Sequence, residues 1–370
     1  MIAVSTPQLM DGHKLPWHMD RVEAWERGER IAPVMIDMAL TRNCDANCSF
    51  CYSRLQSNKG SVITKKVIDA FMEDCARMGV RAVSFLSDGE SVLSPVFCHA
   101  IEKAASLGIK TALGSNCRLF TAAKQTRVLK HLSYVRVNLP AGDKERYCDI
   151  MGVKPKFFDQ VVANVLDMVG LRNWGKYQTE IALQMVLMPQ NADQILPFVK
   201  LGRDLGVDHA VIKHCADDEG GSLGIHYEDY KALIPLLEEA ESYSTDRYRV
   251  LPMWSKMLEG ETRTYERCYG PPFLIQISGT GLVAPCGDKF ATQYAEKFHI
   301  GNICETRWWD IWQSDRYWEV MGHLSSSDFN ARASCGPLCR HHKINEALDA
   351  HVKGDRITEK DYEPKFKEFV

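Results

Sequence analysis

The chain has 370 residues, of which 45% are hydrophobic and 25% are charged, and its formal net charge is −3. This composition excludes collagen-like, intrinsically disordered and coiled-coil proteins. The near-neutral charge gives no electrostatic reason to expect a nucleic acid or an anionic membrane as a partner. The sequence contains no apolar run long enough to cross a membrane, and its first 30 residues are too charged for a secretory signal. We therefore expect a cytoplasmic protein without nucleic-acid or membrane partners.

Cysteine is unusually frequent, with 13 residues in the chain. The odd number, the length of the chain and the lack of an export signal argue against a disulfide framework. Cysteine at this abundance in a cytosolic chain indicates metal or redox chemistry instead.

Residues 1–33 are polar and charged, and we predict an extension that packs on the main body. From Pro33 onward, short apolar runs alternate with amphipathic segments, which is typical of βαβ units and a parallel sheet. The predicted strands are Val34–Leu40, Arg81–Leu86, Lys110–Leu113, Tyr134–Leu139, Glu180–Met188 and His209–Lys213. The predicted helices between them are Lys65–Met78, Pro95–Leu107, Thr121–His131, Phe157–Val169 and Ala192–Leu205. This number of units is too small to close a complete (β/α) barrel.

The sequence changes character after about residue 266, where tryptophan and cysteine become frequent. Before that point, Tyr227–Ser242 is predicted as a helix that leads away from the sheet. Beyond it, Phe273–Ile277 and Leu282–Ala284 flank the glycine-rich sequence Ser278-Gly279-Thr280-Gly281, which predicts a β-hairpin. We divide the chain into an N-terminal extension at 1–33, an α/β body at 34–225, a helical linker at 226–265, a small α+β domain at 266–345 and a tail at 346–370.

Three cysteines follow the first predicted strand at the spacing C-x3-C-x2-C: Cys44, Cys48 and Cys51. Three thiols on one loop can converge on a soft metal centre and leave one corner of a [4Fe–4S] cluster free. The loop lies at the C-terminal end of a parallel strand, where such folds keep their chemistry. The alternative is a structural zinc loop that takes its fourth ligand from a distant part of the chain.

This loop resembles the signature of the radical S-adenosylmethionine (SAM) enzymes, C-x3-C-x-aromatic-C, in which Phe50 supplies the aromatic residue. The resemblance implies a partial (β/α)6 TIM-like barrel and a [4Fe–4S] cluster whose open iron chelates SAM. It also implies reductive cleavage of SAM to a 5′-deoxyadenosyl radical, which abstracts a hydrogen atom from the substrate. An electron donor such as flavodoxin or ferredoxin would then be a partner.

Further residues match cofactor-binding positions of this family. After the second strand, Ser87-Asp88-Gly89-Glu90-Ser91 resembles the Gly-Gly-Glu motif, with Asp88 in place of the first glycine. Glu90 would supply the carboxylate that accepts the ammonium group of SAM. The other cofactor-binding candidates implied by the resemblance are Tyr52, Ser115, Asn138, Gln184 and Met188. Each of these last positions could equally be an ordinary turn or core residue.

A second set of cysteines lies in the C-terminal part: Cys268, Cys286, Cys335 and Cys339. The hairpin brings the first two together, and the later pair can complete four thiolate ligands. The set resembles the SPASM and twitch domains of some radical SAM enzymes, which implies one auxiliary iron–sulfur cluster, expected to be [4Fe–4S]. A four-cysteine zinc site is the alternative, Cys304 could substitute as a ligand, and His341 and His342 are expected at the surface.

Cys215 follows the sixth predicted strand and is a candidate catalytic residue. Its position faces the barrel mouth, and epimerases related to this family use such a thiol to donate hydrogen to a substrate radical. The alternative is a small buried residue at the end of the strand. Cys148 is expected on a loop after the fourth strand, within reach of the substrate.

The sequence therefore predicts an oxidoreductase-type radical SAM enzyme that acts on a natural-product small molecule or a short peptide. The leading 33 residues are too short for the leader-peptide-binding domain of many peptide-modifying relatives. The auxiliary cluster would accept an electron from the substrate radical, so that the net reaction is a dehydrogenation or a cross-link. The alternatives are an epimerase, a radical SAM enzyme that modifies nucleic acid, and a zinc-binding scaffold without activity.

Overall fold

A ten-stranded sheet runs through the computed structural model, which describes residues 13–58, 60–254, 263–337 and 339–370. Its seven parallel strands of the α/β body are β1 Met35–Met38, β2 Ala82–Phe85, β3 Lys110–Ser115, β4 Leu132–Asn138, β5 Glu180–Leu187, β6 His209–His214 and β7 Arg249–Pro252. They are adjacent in chain order, with Met35 opposite Ala82 between β1 and β2. The first six confirm the predicted strands, and the sheet stays open, as expected for a partial barrel.

The helices before and among these strands are α1 Met19–Glu26, α2 Lys65–Met78, α3 Phe97–Ser106, α4 Ala122–Val128, α5 Lys144–Met151, α6 Pro155–Gly175, α7 Ile195–Asp204 and α8 Ile234–Glu241. Helix α1 precedes the first strand, and α2 to α8 lie between successive strands in the chain. Helix α2 shows why they form where predicted: the Thr64 side chain caps its N-terminus, and Gly79 ends it with a φ of 74°. Phe71, Met72 and Cys75 on its inner face are buried in the core.

Strand β7 was not predicted and lies within the segment that we assigned as a helical linker. The predicted helix Tyr227–Ser242 is instead a 3-10 segment, Tyr227–Leu233, followed by α8. Among the described strands, β7 pairs with β6 alone, so it forms one edge of the described sheet. Short edge strands carry little hydrophobic periodicity, which explains why the sequence did not indicate it.

The predicted hairpin is present and continues the sheet of the α/β body. Strand β8, Leu274–Ile277, pairs in parallel with β1, so that Met35 lies opposite Leu274. Strand β9, Leu282–Ala284, is antiparallel to β8, and β10, Gly301–Asn302, pairs with β9. The cysteine-rich region is thus attached directly beside the strand that leads into the first cysteine loop.

Five short helices complete the C-terminal region: α9 Ala295–Phe298, α10 Trp308–Gln313, α11 Asp315–Ser325, α12 Ala331–Ser334 and α13 His342–Val352. The segment that contains Lys14 and Leu15 packs against the C-terminal residues. Lys14 donates a hydrogen bond to the Phe369 carbonyl at 2.6 Å, and the rings of Tyr134 and Phe369 are 5.0 Å apart. Among the described residues, no helix is both long enough and apolar enough to cross a membrane.

Candidate active site

The three cysteines of the first loop line one cavity of about 380 Å³ at the C-terminal ends of the strands. All three are free thiols. Burial raises the pKa of the Cys44 thiol to about 11. Burial, and then the charges of Cys51 and Cys44, raise the pKa of Cys48. The three sulfurs therefore lie close enough to affect one another, and a metal would have to displace their protons on binding.

The cysteine loop is fixed by contacts to two neighbouring elements. Asp45, between the first two cysteines, forms an ion pair with Arg118 and accepts a hydrogen bond from Asn116 Nδ2 at 2.7 Å. The backbone N–H groups of Asn47 and Ser49 donate to carbonyls at the end of α5, at 2.9 and 2.8 Å. The position of the thiols is thus set by β3 and α5 as well as by the loop itself.

Glu90 is buried at the edge of the same cavity, with 4% of its surface exposed. Its carboxylate accepts hydrogen bonds from Asn116 N–H at 2.7 Å, from Ser115 Oγ at 2.9 Å and from Val92 N–H at 3.1 Å. Burial raises its pKa to about 7. The three donors hold an anionic acceptor in one orientation, which suits an ammonium group.

Gly89, the residue before this carboxylate, has a φ of 84°. A Cβ atom at this position would overlap the backbone of Thr41 and Arg42. Glycine is therefore required both by the backbone conformation and by the close approach of the two loops.

Asp88 lines the cavity, but its carboxylate is engaged by other parts of the protein. Ser278 Oγ donates to Oδ2 at 2.6 Å, Gly279 N–H donates to Oδ1 at 2.8 Å, and Arg42 Nε lies 3.0 Å from Oδ2. We predicted Asp88 as a cofactor-binding residue, whereas here it connects the loop after β2 to the turn of the hairpin. Three donors from other parts of the chain thus hold this carboxylate in place.

The other cofactor-binding candidates divide into two groups. Most line the cavity: Phe50, Tyr52, Ser115, Asn138 and Gln184. Asn138 Oδ1 is buried and has no hydrogen-bond partner within the described ranges, which leaves an acceptor for a polar group in the cavity. Met188 follows β5, is buried, and is not among the lining residues.

Cys215, the candidate hydrogen donor, is fully buried behind the cavity lining. Its sulfur lies 4.0 Å from the Phe50 carbonyl oxygen and 3.5 Å from that of Ala216. Its neighbours His214 and Ala216 line the cavity instead. Cys148 was expected on a loop, which is wrong, because it lies on the helix α5.

The four C-terminal cysteines form a second group of thiols. Burial, and then the charges of Cys339 and Cys335, raise the pKa of Cys268 well above its usual value. The pKa of Cys286 is raised by burial and by Asp288, and then by the same two thiols. Cys268 and Cys286 therefore both lie near Cys335 and Cys339, although among the described residues no group of three or more His, Cys, Asp or Glu side chains is arranged to hold a metal ion.

Backbone and amide donors surround this second group. The N–H of His341 lies 3.3 Å from Cys339 Sγ, and Asn345 Nδ2 lies 3.5 Å from Cys268 Sγ. The expectation that His341 and His342 lie at the surface is wrong, because both are buried. His341 Nε2 bonds the Leu274 carbonyl at 2.7 Å, which connects α13 to the hairpin. Cys304 contacts the Thr280 carbonyl at 3.9 Å.

Tyr52 and Asp288 join the two groups of thiols across the cavity. Tyr52 follows Cys51 directly, Asp288 is two residues after Cys286, and both side chains line the cavity. Burial, the largest effect, raises the pKa of Asp288, and the nearby Lys289 and Tyr52 side chains lower it. Asp288 was not predicted from the sequence, although its place two residues after the ligand candidate Cys286 indicates a position near the site.

A polar layer inside the sheet was also missed. Asp37 on β1 is paired with Arg340 at 2.9 Å, and the Arg136 guanidinium of β4 lies 5.0 Å from the centre of the Tyr134 ring. Asp37, Arg136 and Arg340 all line the cavity, together with Gln276 of β8. The signal was a polar residue in the middle of otherwise apolar strands, as in Met35-Ile36-Asp37-Met38.

These features define a radical SAM enzyme. The model of the radical SAM superfamily matches residues 38–202, and that of the SPASM iron–sulfur cluster-binding domain matches residues 268–341. The chain belongs to the radical SAM superfamily and carries a C-terminal SPASM domain. No curated protein matches the chain in sequence.

Several solved structures are similar to this chain. SuiB of Streptococcus suis bound to S-adenosylmethionine has a TM-score of 0.62 at 16% identity, covering 94% of this chain and 81% of that one. SuiB bound to the precursor peptide SuiA has a TM-score of 0.61 at 15% sequence identity, covering 84% of this chain and 72% of that one. Native anSMEcpe with bound AdoMet has a TM-score of 0.57 at 16% sequence identity, covering 85% of this chain and 88% of that one. At these identities the similarity shows the fold.

The cofactors of this class are SAM, a SAM-binding [4Fe–4S] cluster and auxiliary iron–sulfur clusters. The types of residue present suit these cofactors, although the described side chains include no group of three or more His, Cys, Asp or Glu placed to hold a metal ion. The first loop offers three thiols beside one cavity, which leaves a cluster corner for SAM. The same cavity holds the anionic acceptor Glu90 and the unpaired acceptor Asn138 Oδ1. The second group offers four thiols, the number that ligates a complete cluster.

Proposed function

We propose that this enzyme oxidises a peptide, or a small molecule, by net dehydrogenation or cross-linking. The observation that carries the proposal is the shared cavity, whose lining extends from Cys44, Cys48 and Cys51 to Gly287 and Asp288, next to Cys286. A substrate in this cavity would lie between the two groups of thiols. A hydrogen atom could then leave on one side and an electron on the other.

When bound, SAM and its reduced cluster supply a 5′-deoxyadenosyl radical, which removes one hydrogen atom from a substrate C–H bond and becomes 5′-deoxyadenosine. An external one-electron donor, such as flavodoxin or ferredoxin, provides the electron for SAM cleavage. To reach a two-electron oxidation, the substrate must also release one electron and one proton. In this proposal Cys268, Cys286, Cys335 and Cys339 would hold the auxiliary cluster, which would supply an acceptor for this electron.

This chain's own residues bind and orient the reactants in the proposal. Cys44, Cys48 and Cys51 hold the first cluster, and Glu90 accepts the ammonium group of SAM. Asn138 Oδ1 accepts a further hydrogen bond from the cofactor, because it is buried in the cavity and no described residue donates to it. Phe50 and Tyr52 supply the aromatic surface beside the cysteines.

The position of Cys215 supports oxidation over epimerisation. A hydrogen donor must reach the substrate radical, whereas this thiol is fully buried and does not line the cavity. Burial also raises its pKa to about 12. The substrate class has separate support: SuiB was solved with its precursor peptide SuiA, and anSMEcpe with the Cp18Cys peptide.

The test is anaerobic reconstitution of the chain, followed by metal analysis and assays with candidate peptides deuterated at their Cα and Cβ positions. We expect about eight irons per chain, from two four-iron clusters. Deuterium should move into 5′-deoxyadenosine, and the product should be two hydrogen atoms lighter than the peptide. A product that has exchanged one deuterium for one solvent hydrogen at an inverted centre, with no further loss of hydrogen, would show epimerisation. Stoichiometric zinc without sulfur-to-iron charge-transfer absorbance would show a zinc scaffold.

A further inference from the structure

The turn of the SPASM hairpin lies against the loop that carries the Gly-Glu motif. Strand β8 is the neighbour of β1 in the sheet, so the turn Ser278–Gly281 comes to lie beside Thr41 and Arg42, where the chain leaves β1. A Cβ atom on Gly279 would overlap the backbone of Thr41 and Arg42. The hairpin turn and the start of the cysteine loop are therefore in direct backbone contact.

Asp88 is the side chain that fastens this contact. It accepts hydrogen bonds from Ser278 Oγ and Gly279 N–H, at 2.6 and 2.8 Å, and pairs with Arg42 at 3.0 Å. Only 1% of its side chain is exposed, so these interactions are shielded from water. The next residues in the chain are Gly89 and Glu90, so any movement of Asp88 moves the proposed SAM ligand.

Arg42 extends the contact to the segment after the cysteines. Its guanidinium donates to the carbonyls of Ser53 at 2.9 Å and Gln56 at 3.1 Å, and also to that of Asn58. Asn58 Nδ2 in turn lies 2.7 Å from Ser278 Oγ. The hairpin turn, the Gly-Glu loop and both ends of the cysteine loop thus share one buried hydrogen-bond network.

We propose that Asp88 is a positioning residue that couples the SPASM hairpin to SAM binding, through its bonds to Ser278 and Gly279 and its covalent link to Gly89 and Glu90. The inference rests on the proposed role of Glu90 as a SAM ligand. Beyond the hairpin turn, β9 leads to Cys286, so the same contact connects the ligand set of the auxiliary cluster to the SAM site. A displacement of the hairpin turn would therefore also displace Glu90.

The experiment compares Asp88→Asn, Ser278→Ala and the double variant with the wild type in the reconstituted full chain, using the SAM dissociation constant as the readout. Asparagine retains the shape but loses the charge that Arg42 requires. We expect Asp88→Asn to weaken SAM binding about tenfold, and Ser278→Ala about threefold. The double variant should be no weaker than Asp88→Asn alone, because both changes break one network.

Asp74→Asn is the matched control. Asp74 is also a buried carboxylate that accepts from an arginine, Arg307 at 2.6 Å, and from a backbone N–H, that of Trp309 at 3.2 Å. It connects α2 to α10, away from the cavity lining. We expect it to lower the thermal midpoint about as much as Asp88→Asn does, while leaving SAM affinity and iron content unchanged.

Hydrogen exchange on the metal-free chain gives a readout that needs no cofactor. In Asp88→Asn and Ser278→Ala, the amides of Val92 and Asn116 should exchange faster, because Glu90 is held less firmly. Asp74→Asn should leave them unchanged. If Asp88→Asn does not fold, Ser278→Ala alone tests the proposal, because the loss of a single hydroxyl group should leave the fold intact.

The outcomes separate this inference from the proposed function. A wild-type chain that binds iron but not SAM overturns the proposed function, and the role of Asp88 falls with it. A wild-type chain that binds SAM, with Asp88→Asn behaving as Asp74→Asn does, overturns the role of Asp88 alone. Additive effects of the two substitutions on SAM affinity would also contradict a shared network.

Discussion

Gly89 and Gly279 approach the same stretch of backbone, Thr41–Arg42, although they are far apart in the chain. A Cβ atom on either glycine would overlap that backbone. Thr41 and Arg42 lead from β1 into the cysteine loop, so the loop is held between the motif after β2 and the SPASM hairpin. Neither side can accommodate a larger residue without moving the thiols or the carboxylate of Glu90.

Gly89→Ala should therefore weaken SAM binding by more than its loss of folding stability would cause. The new methyl group would displace the cysteine loop, and the φ of 84° adds strain for alanine. We expect the SAM dissociation constant of the reconstituted enzyme to rise by about a hundredfold, as checked by equilibrium dialysis. Gly108→Ala is the control, because its φ is 76° but a Cβ atom there has nothing within 4 Å. Gly108→Ala should lower the free energy of unfolding by about 1 kcal/mol without changing SAM affinity. An equal loss of SAM affinity in both variants would contradict the role of the close contact at Gly89.

Replacing Cys44, Cys48 and Cys51 together by alanine should abolish SAM cleavage. The first cluster loses all of its protein ligands, whereas the four thiols of the second group are unchanged. Iron should fall from about eight to about four per chain, and 5′-deoxyadenosine should not form when a strong reductant is added. A matched triple variant of Cys75, Cys98 and Cys148 should retain all of the iron. Continued 5′-deoxyadenosine formation by the first variant would show that these residues do not hold the cluster.

The sequence predicted the parallel strands and the cysteine loop because both are local patterns. Strands that are buried on two faces appear as short apolar runs between amphipathic helices, and the first three cysteines lie within one loop. Edge strands lack this pattern, so β7 and β10, the latter only Gly301–Asn302, were not predicted. The pairing of β8 with β1 brings together residues such as Met35 and Leu274, and no local pattern specifies such a partner.

Parts of the site that depend on contacts between distant residues were likewise not predicted. Asp88 was interpreted from its position beside Gly89, but its conformation is set by Ser278, 190 residues later. Arg340 and Asp37 are paired across 303 residues, so the polar layer inside the sheet could not be assembled from the sequence. The orientation of Cys215 depends on how the chain turns after β6, which the period of two along a strand does not determine.

Cys215→Ala should leave the oxidation unchanged. The thiol is buried behind the cavity lining, so we expect the rate of 5′-deoxyadenosine formation and the product yield to stay within about twofold of the wild type. The substitution should lower the free energy of unfolding by about 1–2 kcal/mol, because it leaves a small internal cavity. Cys75→Ala is the control, because Cys75 is equally buried and distant from the cavity. Continued SAM cleavage with loss of the inverted product in Cys215→Ala alone would instead support epimerisation.

Glu90 should make SAM binding depend on pH. Burial raises its pKa to about 7 in the chain without cofactor, so the carboxylate loses its charge as the pH falls below that value. Only the charged form attracts the ammonium group of SAM, so the dissociation constant should rise by up to about tenfold per pH unit below 7. The raised pKa also means that, in the metal-free chain, the stabilising contribution of protonated Glu90 is present below its usual pKa and is lost as the pH rises through 7.

Glu90→Gln tests this dependence, because it retains the shape but cannot ionise. Its SAM affinity at pH 8 should be at least about tenfold lower than that of the wild type, and it should change little between pH 6 and pH 8. Glu102→Gln is the control, since Glu102 pairs with Arg127 at the surface and should leave the wild-type profile unchanged. A pH profile in Glu90→Gln as steep as in the wild type would assign the titration to another group and remove the carboxylate of Glu90 from the SAM site.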